Sequence, residues 1–134
     1  MVAIEKEKLA IVSDQIGVPT GADLIADVTA HAIRFYFNEH PGPNRNALNG
    51  IYHLVPDGET SWQAYANLIF EQLRAKGVSL ALQEVVPVTT AQYPTPARRP
   101  LNSRLSNGKI KQVFNLHMPG WRPGVCRLVE ELLF

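Results

Sequence analysis

At 134 residues, with 46% hydrophobic and 19% charged side chains, the chain has the size and make-up of one ordinary domain, able to bury roughly two-thirds of its unfolded surface. A formal net charge of +1 provides no field to hold nucleic acid or an anionic membrane, so any anion must be gripped by a local cluster of Arg or Lys. The single cysteine, Cys126, cannot form an internal disulfide, and its place in an apolar helical pattern reads as a buried, inert thiol. No apolar run nears the ~20 residues of a membrane span and no signal-peptide pattern opens the chain, so a cytoplasmic location is expected.

Residues 1–8 look like the last turns of a helix whose beginning is missing, with no capping residue ahead of them. Leu9–Val12 is a short apolar run, expected as a buried strand. Gly17 and Pro19 then interrupt regular structure, and Thr20 is placed to cap a helix reaching about Asn38, with Asp23 in its first turn. Leu24, Val28, His31 and Phe35 fall on one stripe of that helix.

Residues 40–50 form a turn-rich loop. Ile51–Val55 reads as a strand ended by Pro56-Asp-Gly58. Thr60 and Gln63 make a capping box for a second helix, Ser61 to Lys76, closed by Gly77. Trp62, Tyr65, Ala66, Ile69, Phe70 and Leu73 mark its expected buried face. Leu80–Val88 is a strand. The stretch Tyr93 to Pro100 is too rich in proline for helix or central strand. Ser106 caps a short helix to Phe114, and Trp121 anchors a last amphipathic helix reaching Phe134.

The order α, β, α, β, α, β, α, α favours an α/β or α+β-like small domain over a bundle or sandwich. Its few short strands would form a small sheet, one that fits beside a larger one.

The search for catalytic signatures returns negatives. No glycine fingerprint for a dinucleotide follows a strand, and no Walker A loop, His-Glu-x-x-His or Gly-x-Ser-x-Gly occurs. Tyr36, Tyr52, Tyr65 and Tyr93 are followed four positions on by His40, Pro56, Ile69 and Ala97, so the Tyr-x-x-x-Lys pair of short-chain dehydrogenases is absent. His31, His40, His53 and His117 have no metal-ligand spacing.

Two loops remain. In Asp14-Gln-x-Gly-x-Pro-Thr20, a polar pair, a glycine and a helix start either meet a ligand or satisfy the turn's own backbone. In Ala97-Arg-Arg-Pro-Leu-Asn-Ser103, a rigid arm presents adjacent arginines, the side chain best shaped to grip a phosphate with two parallel hydrogen bonds. The alternative for this arm is a solvated surface loop.

These loops carry a resemblance. Val12-Ser-Asp-Gln-Ile-Gly-Val-Pro-Thr-Gly-Ala-Asp-Leu-Ile-Ala-Asp27, Thr29-Ala-His-Ala-Ile33, Gly50-Ile-Tyr-His-Leu-Val55 and Tyr93-Pro-Thr-Pro-Ala-x-Arg-Pro-x-Asn-Ser-Arg-Leu105 resemble, in order and spacing, the C-terminal part of dTDP-4-dehydrorhamnose reductases. These are extended short-chain dehydrogenases, with an N-terminal Rossmann domain for NADPH and a smaller substrate-side domain. They reduce the C4 ketone of dTDP-4-dehydro-L-rhamnose to dTDP-L-rhamnose. The resemblance implies that residues 1–134 are the substrate-binding domain and that the Rossmann NADPH domain is not on this chain.

It further implies a dTDP-sugar site near Asp14, Gln15, Pro19 and Thr20, with Arg99 on the diphosphate and Asn102 and Ser103 beside it. Some members hold Mg2+ at a dimer contact through acidic residues. Asp23 and Glu131 stand at positions for that role, with helix capping and solvent-facing charge as their other reading. The implied partners are the absent Rossmann domain and, through that contact, a second copy of the chain. Lacking hydride and proton donors, the isolated chain is expected to have no reductase activity. The alternative is a catalytically inactive nucleotide-sugar-binding or regulatory module, since a methionine adenosyltransferase regulatory subunit shares the Asp-Gln-x-Gly-x-Pro-Thr element.

Overall fold

The computed structural model describes residues 5–38, 48–93 and 95–133. In chain order the elements are β1 (Lys8–Val12), β2 (Ile16–Gly17), α1 (Ala22–Asn38), β3 (Thr60–Ser61), α2 (Trp62–Ala75), β4 (Glu84–Val88), a 3-10 turn (Thr90–Gln92), α3 (Gly108–Val113) and α4 (Trp121–Glu131). This is the mixed α/β chain with short strands expected from its sequence. Residues 1–4 of the expected helix end lie outside the described residues, as do most of the 40–50 loop, Pro94 and Phe134, and Lys8, counted in that helix end, belongs to β1 instead.

β1 and β4 form a parallel pair with Leu9 opposite Val85 and Val12 opposite Val88. The ladder runs on through Ser13, whose backbone N–H donates to the Val88 carbonyl at 2.9 Å. One face of this pair is covered by α2 and α4. Phe70 and Leu73 of α2, Val129 of α4 and Leu82 are buried together, with Leu9, Ile11 and Val85 packed against them. α2 stops because Gly77 takes φ +79°. The Gly77 and Val78 N–H groups then reach back to the Arg74 and Leu73 carbonyls, both at 3.0 Å, which satisfies the last turn.

A second core lies between α1 and α3, where Val28, Ile110, Phe114 and Met118 are buried. A third, of Leu68, Trp121 and Val125, joins α2 to α4 beside the half-buried Cys126. Trp121 is 8% exposed and anchors the last helix as its sequence indicates. Asp57 ties these parts together. It exchanges backbone hydrogen bonds with Pro119 and Trp121, while its carboxylate accepts from Asn107 Nδ2 at 2.7 Å and Lys111 Nζ at 3.0 Å. Those donors hold the Asp57 carboxyl below its usual range, Asn107 first and Lys111 second.

Several expectations need correction. Ile51–Val55 is not a strand in this structure. Its apolar and aromatic residues suit a strand, but pairing requires a partner edge, and none of the described residues supplies one. The cap of α2 is Ser61, not Thr60: the Ser61 hydroxyl accepts from Ala64 N–H at 3.1 Å, and Thr60 pairs with Gly17 instead. Gly21, not Thr20, offers the carbonyl that receives the first bond of α1, from Ile25 N–H at 3.2 Å. Asn107 rather than Ser106 precedes α3, and the strand expected from Leu80 starts at Glu84.

Candidate functional site

The two loops that stand out in the sequence meet. β2 lies between two other segments. On one side Ile16 and Gly17 pair antiparallel with Ser61 and Thr60. On the other, Ile16 bridges in parallel to Asn102, 86 residues further along the chain. Ile16 N–H donates to the Leu101 carbonyl and Ser103 N–H to the Ile16 carbonyl, both at 2.8 Å. Ser103 Oγ adds a third bond to the same carbonyl at 3.1 Å. The approach is close at Gly17: a Cβ there would lie 2.6 Å from Ser103 Oγ, so the hydroxyl would have to turn away.

Asp14 and Gln15 fasten the arm one step earlier. The Asp14 carboxylate accepts from Thr90 Oγ1 at 2.7 Å and from Thr90 N–H at 2.9 and 3.0 Å. The Thr90 hydroxyl, and after it the backbone N–H, hold the Asp14 carboxyl below its usual range. Gln15 Nε2 donates to the same Thr90 hydroxyl at 3.1 Å. Asp14 is thus committed to the 3-10 turn from which the proline-rich arm departs, and it orients that arm. A negative carboxylate so placed is a poor group to present to a diphosphate, and its fixed charge is spent on Thr90.

On the arm, Arg98 and Arg99 are exposed. Arg104 is taken up locally: it pairs with Glu59 at 2.9 Å and donates to Asn102 Oδ1 at 2.9 Å. Among the described residues this leaves Arg98 and Arg99 as the cations of the arm with no ion pair, beside the point where it joins β2.

Pro19 is a shared wall between two cavities. One, of about 120 Å3, is lined by Gln15, Gly17, Val18, Pro19, Thr60, Ser61, Trp62, Tyr65 and Ser103. The other, of about 190 Å3, runs between the start of α1 and α4, with Thr20, Asp23, Arg127 and Glu131 among its lining residues. Gln15, Pro19, Thr20 and Ser103 are therefore brought to one region, with Asn102 at its edge. Asp23 and Glu131 share the second cavity, where Asp23 forms an ion pair with Arg127. Among the described residues no group of three or more His, Cys, Asp or Glu side chains is placed to hold a metal ion.

Trp62 departs from its sequence reading. Counted there as part of the buried face of α2, it is 58% exposed and forms a wall of the smaller cavity. Its position explains why: it is the first residue of α2, nearly two turns before the level at which Leu68 and Ile69 pack with Trp121. The periodicity is correct and the partner is absent at that level. Thr90, the anchor of Asp14 and Gln15, carries no local sequence signal for that role.

No helix of the described residues is long and apolar enough to cross a membrane. Residues 1–134 match the family model described as RmlD substrate binding domain. Over 97% of its length the chain is 51% identical to the dTDP-4-dehydrorhamnose reductase of Escherichia coli (strain K12) and 50% identical to that of Shigella flexneri. It spans 42% of the length of each of these relatives. Among solved structures, the dTDP-4-dehydrorhamnose reductase from Bacillus anthracis str. Ames in complex with NADP is 28% identical, with a TM-score of 0.76 over 97% of this chain and 40% of that one. The chain belongs to the RmlD substrate binding domain family.

Proposed function

We propose that this chain is the substrate-side part of an NADPH-dependent dTDP-4-dehydrorhamnose reductase, and that it holds the nucleotide sugar where the Gln15–Thr20 loop meets the arginine arm. The observation that carries this reading is the backbone junction of Ile16 with Leu101–Ser103. It joins the segment that carries Arg98 and Arg99, a few residues before Asn102, to the strand whose Gly17 lines a concave, partly apolar site, and a cationic group near such a site is the combination a nucleotide diphosphate needs. In this reading Arg99 meets the diphosphate, Pro19 and Thr20 shape the wall, and Gln15, Asn102 and Ser103 line or edge the site. Asp14 keeps the arm in position through Thr90.

NADPH falls to residues outside this chain. The strand-to-helix turn with glycines at Gly17 and Gly21 does not suit a pyrophosphate. A Cβ at Gly21 would collide with the Asp23 carboxylate, so negative charge already occupies the start of α1, and Pro19 offers no N–H. Mg2+ on Asp23 and Glu131 would need Arg127 to leave Asp23, and further oxygen ligands from a second copy. The Asp23–Arg127 ion pair favours the simpler role of charge pairing between helices.

The remainder of a longer protein has a face to cover. Ile33, Tyr36 and Phe37 of α1 line an apolar groove of about 320 Å3 with Tyr52 and Leu54, and Ile51 beside it is 83% exposed. The reading of an inactive binding or regulatory module would share the sugar-nucleotide site and dispense with this docking.

Calorimetric titration with dTDP tests the site. The wild-type chain should bind, and R99A should lose the charge-assisted contacts to the diphosphate, about 1.5–3 kcal/mol. Undiminished binding by R99A would remove Arg99 from the site. The chain alone should leave NADPH absorbance unchanged in the presence of the dehydro sugar; turnover would contradict the assignment of hydride transfer to residues elsewhere.

A further inference from the structure

Asparagine followed by glycine occurs twice in the chain, at Asn49–Gly50 and at Asn107–Gly108. In this dipeptide the chain is open to attack by its own backbone. The glycine nitrogen can reach the asparagine Cγ, because no Cβ shields it. Whether it does so depends on what holds the carboxamide and that nitrogen, and here the two pairs differ.

Asn107 is tied. Its Nδ2 donates to the Val55 carbonyl at 3.0 Å and to Asp57 Oδ1 at 2.7 Å. The Gly108 N–H donates to Ser106 Oγ at 3.4 Å, and Gly108 begins α3. Ring closure there would break these bonds and unwind the first turn. Asn49 has no such restraint. It is exposed, and among the described residues no hydrogen bond holds its carboxamide or the Gly50 N–H. A neighbouring charge also favours reaction. A Cβ on Gly50 would lie 3.0 Å from Lys109 Nζ, and that ammonium is fixed by the Ile51 carbonyl at 2.9 Å and by the Tyr52 ring at 4.3 Å. A cation so placed steadies the negative charge that develops on the Gly50 nitrogen as it loses its proton.

We propose that Asn49–Gly50 is a site of spontaneous deamidation and isoaspartate formation, and that Asn107–Gly108 is protected by its bonds to Val55 and Asp57. The Gly50 nitrogen gives up its proton and bonds to Asn49 Cγ, and the side-chain nitrogen leaves as ammonia. Water then opens the five-membered imide at either carbonyl. Opening at Cγ gives aspartate. Opening at the backbone carbonyl gives isoaspartate, whose main chain runs through Cβ and Cγ. Either product puts a negative charge just ahead of Tyr52, which lines the apolar groove of α1.

The test incubates the wild-type chain at mildly alkaline pH, folded and in urea, and follows both asparagines by peptide mass mapping with an isoaspartyl assay. In the folded chain Asn49 should convert faster than Asn107 by on the order of tenfold or more, because the bonds to Val55 and Asp57 must break before Asn107 reacts. In urea the two rates should come together. K109M should slow conversion at Asn49 in the folded chain and leave its rate in urea unchanged. The proposal is overturned if Asn49 stays intact in the folded chain while it converts in urea, or if both asparagines convert at the same rate in the folded chain. Equal folded-state rates for K109M and wild type would remove Lys109 from the reaction.

Discussion

Replacing Gly17 by alanine adds a single methyl group at the seam between the two loops, 2.6 Å from Ser103 Oγ. No real contact is that short, so the hydroxyl must rotate away. In doing so it gives up its bond to the Ile16 carbonyl, now 3.1 Å, which contributes about 0.5–1.5 kcal/mol. The next atom a new methyl would meet is Ser103 Cβ at 3.9 Å, an ordinary contact that needs no adjustment. The backbone at Gly17 is not in the left-handed region, so alanine is otherwise admissible there and would even restrict the unfolded chain.

The cost of G17A should therefore depend on whether Ser103 keeps its hydroxyl. Urea denaturation of wild type, G17A, S103A and the double variant forms a thermodynamic cycle. G17A should be more costly in the wild-type background than in S103A by about 0.5–1.5 kcal/mol. Additivity within about 0.3 kcal/mol would show that the loops are not packed as described, and that the site does not rest on this junction.

Met118, 2% exposed in the α1–α3 core, should be costly to truncate. M118A leaves a cavity and should lower stability by about 2–5 kcal/mol, a fall in Tm on the order of 10 °C for a domain of this size; a shift of a degree or two would mean that this core is loose. Acid sensitivity should change in D14N. The Thr90 hydroxyl, and after it the backbone N–H, hold the folded Asp14 carboxyl below the usual carboxylate range. Its contribution is therefore complete above the unfolded pKa and is lost as pH falls through the folded value. A pH series of thermal unfolding should show a shallower acid limb for D14N than for wild type, with Asp57 responsible for part of what remains; identical limbs would mean that Thr90 does not hold the carboxylate.

The second long helix is legible because independent signals agree on it. In α2 the apolar stripe at Tyr65, Ala66, Ile69, Phe70 and Leu73 and the glycine just after Lys76 mark the same segment. Where only one signal was present, the reading slipped. Ile51–Val55 has strand propensity, yet propensity records fitness for a pleated surface, and the neighbour that would complete that surface is not among the described residues. Thr60 and Ser61 are both good caps, and the choice between them was made by a tertiary contact, the pairing of Thr60 with Gly17.

The site shows the same division. Each loop announced itself locally through Gly17 and Pro19 or through the adjacent arginines. Their junction at Ile16 and Asn102 is a long-range backbone bridge that leaves no periodicity to read. Trp62 was hidden for a related reason: helical spacing tells which residues share a face, and only the packed structure tells how far along that face the neighbour extends. Asp14 is fastened to Thr90, a partner 76 residues away with no sequence signal of its own.

The most direct test is to titrate the isotopically labelled chain with dTDP and follow backbone and indole resonances by NMR. The shifts should gather at Gln15–Thr20, at the Trp62 indole and at Arg98–Ser103, the three segments that converge at β2. Shifts that avoid these segments, or that gather instead on the β1–β4 pair, would contradict the placement of a nucleotide-sugar site at the junction of the two loops.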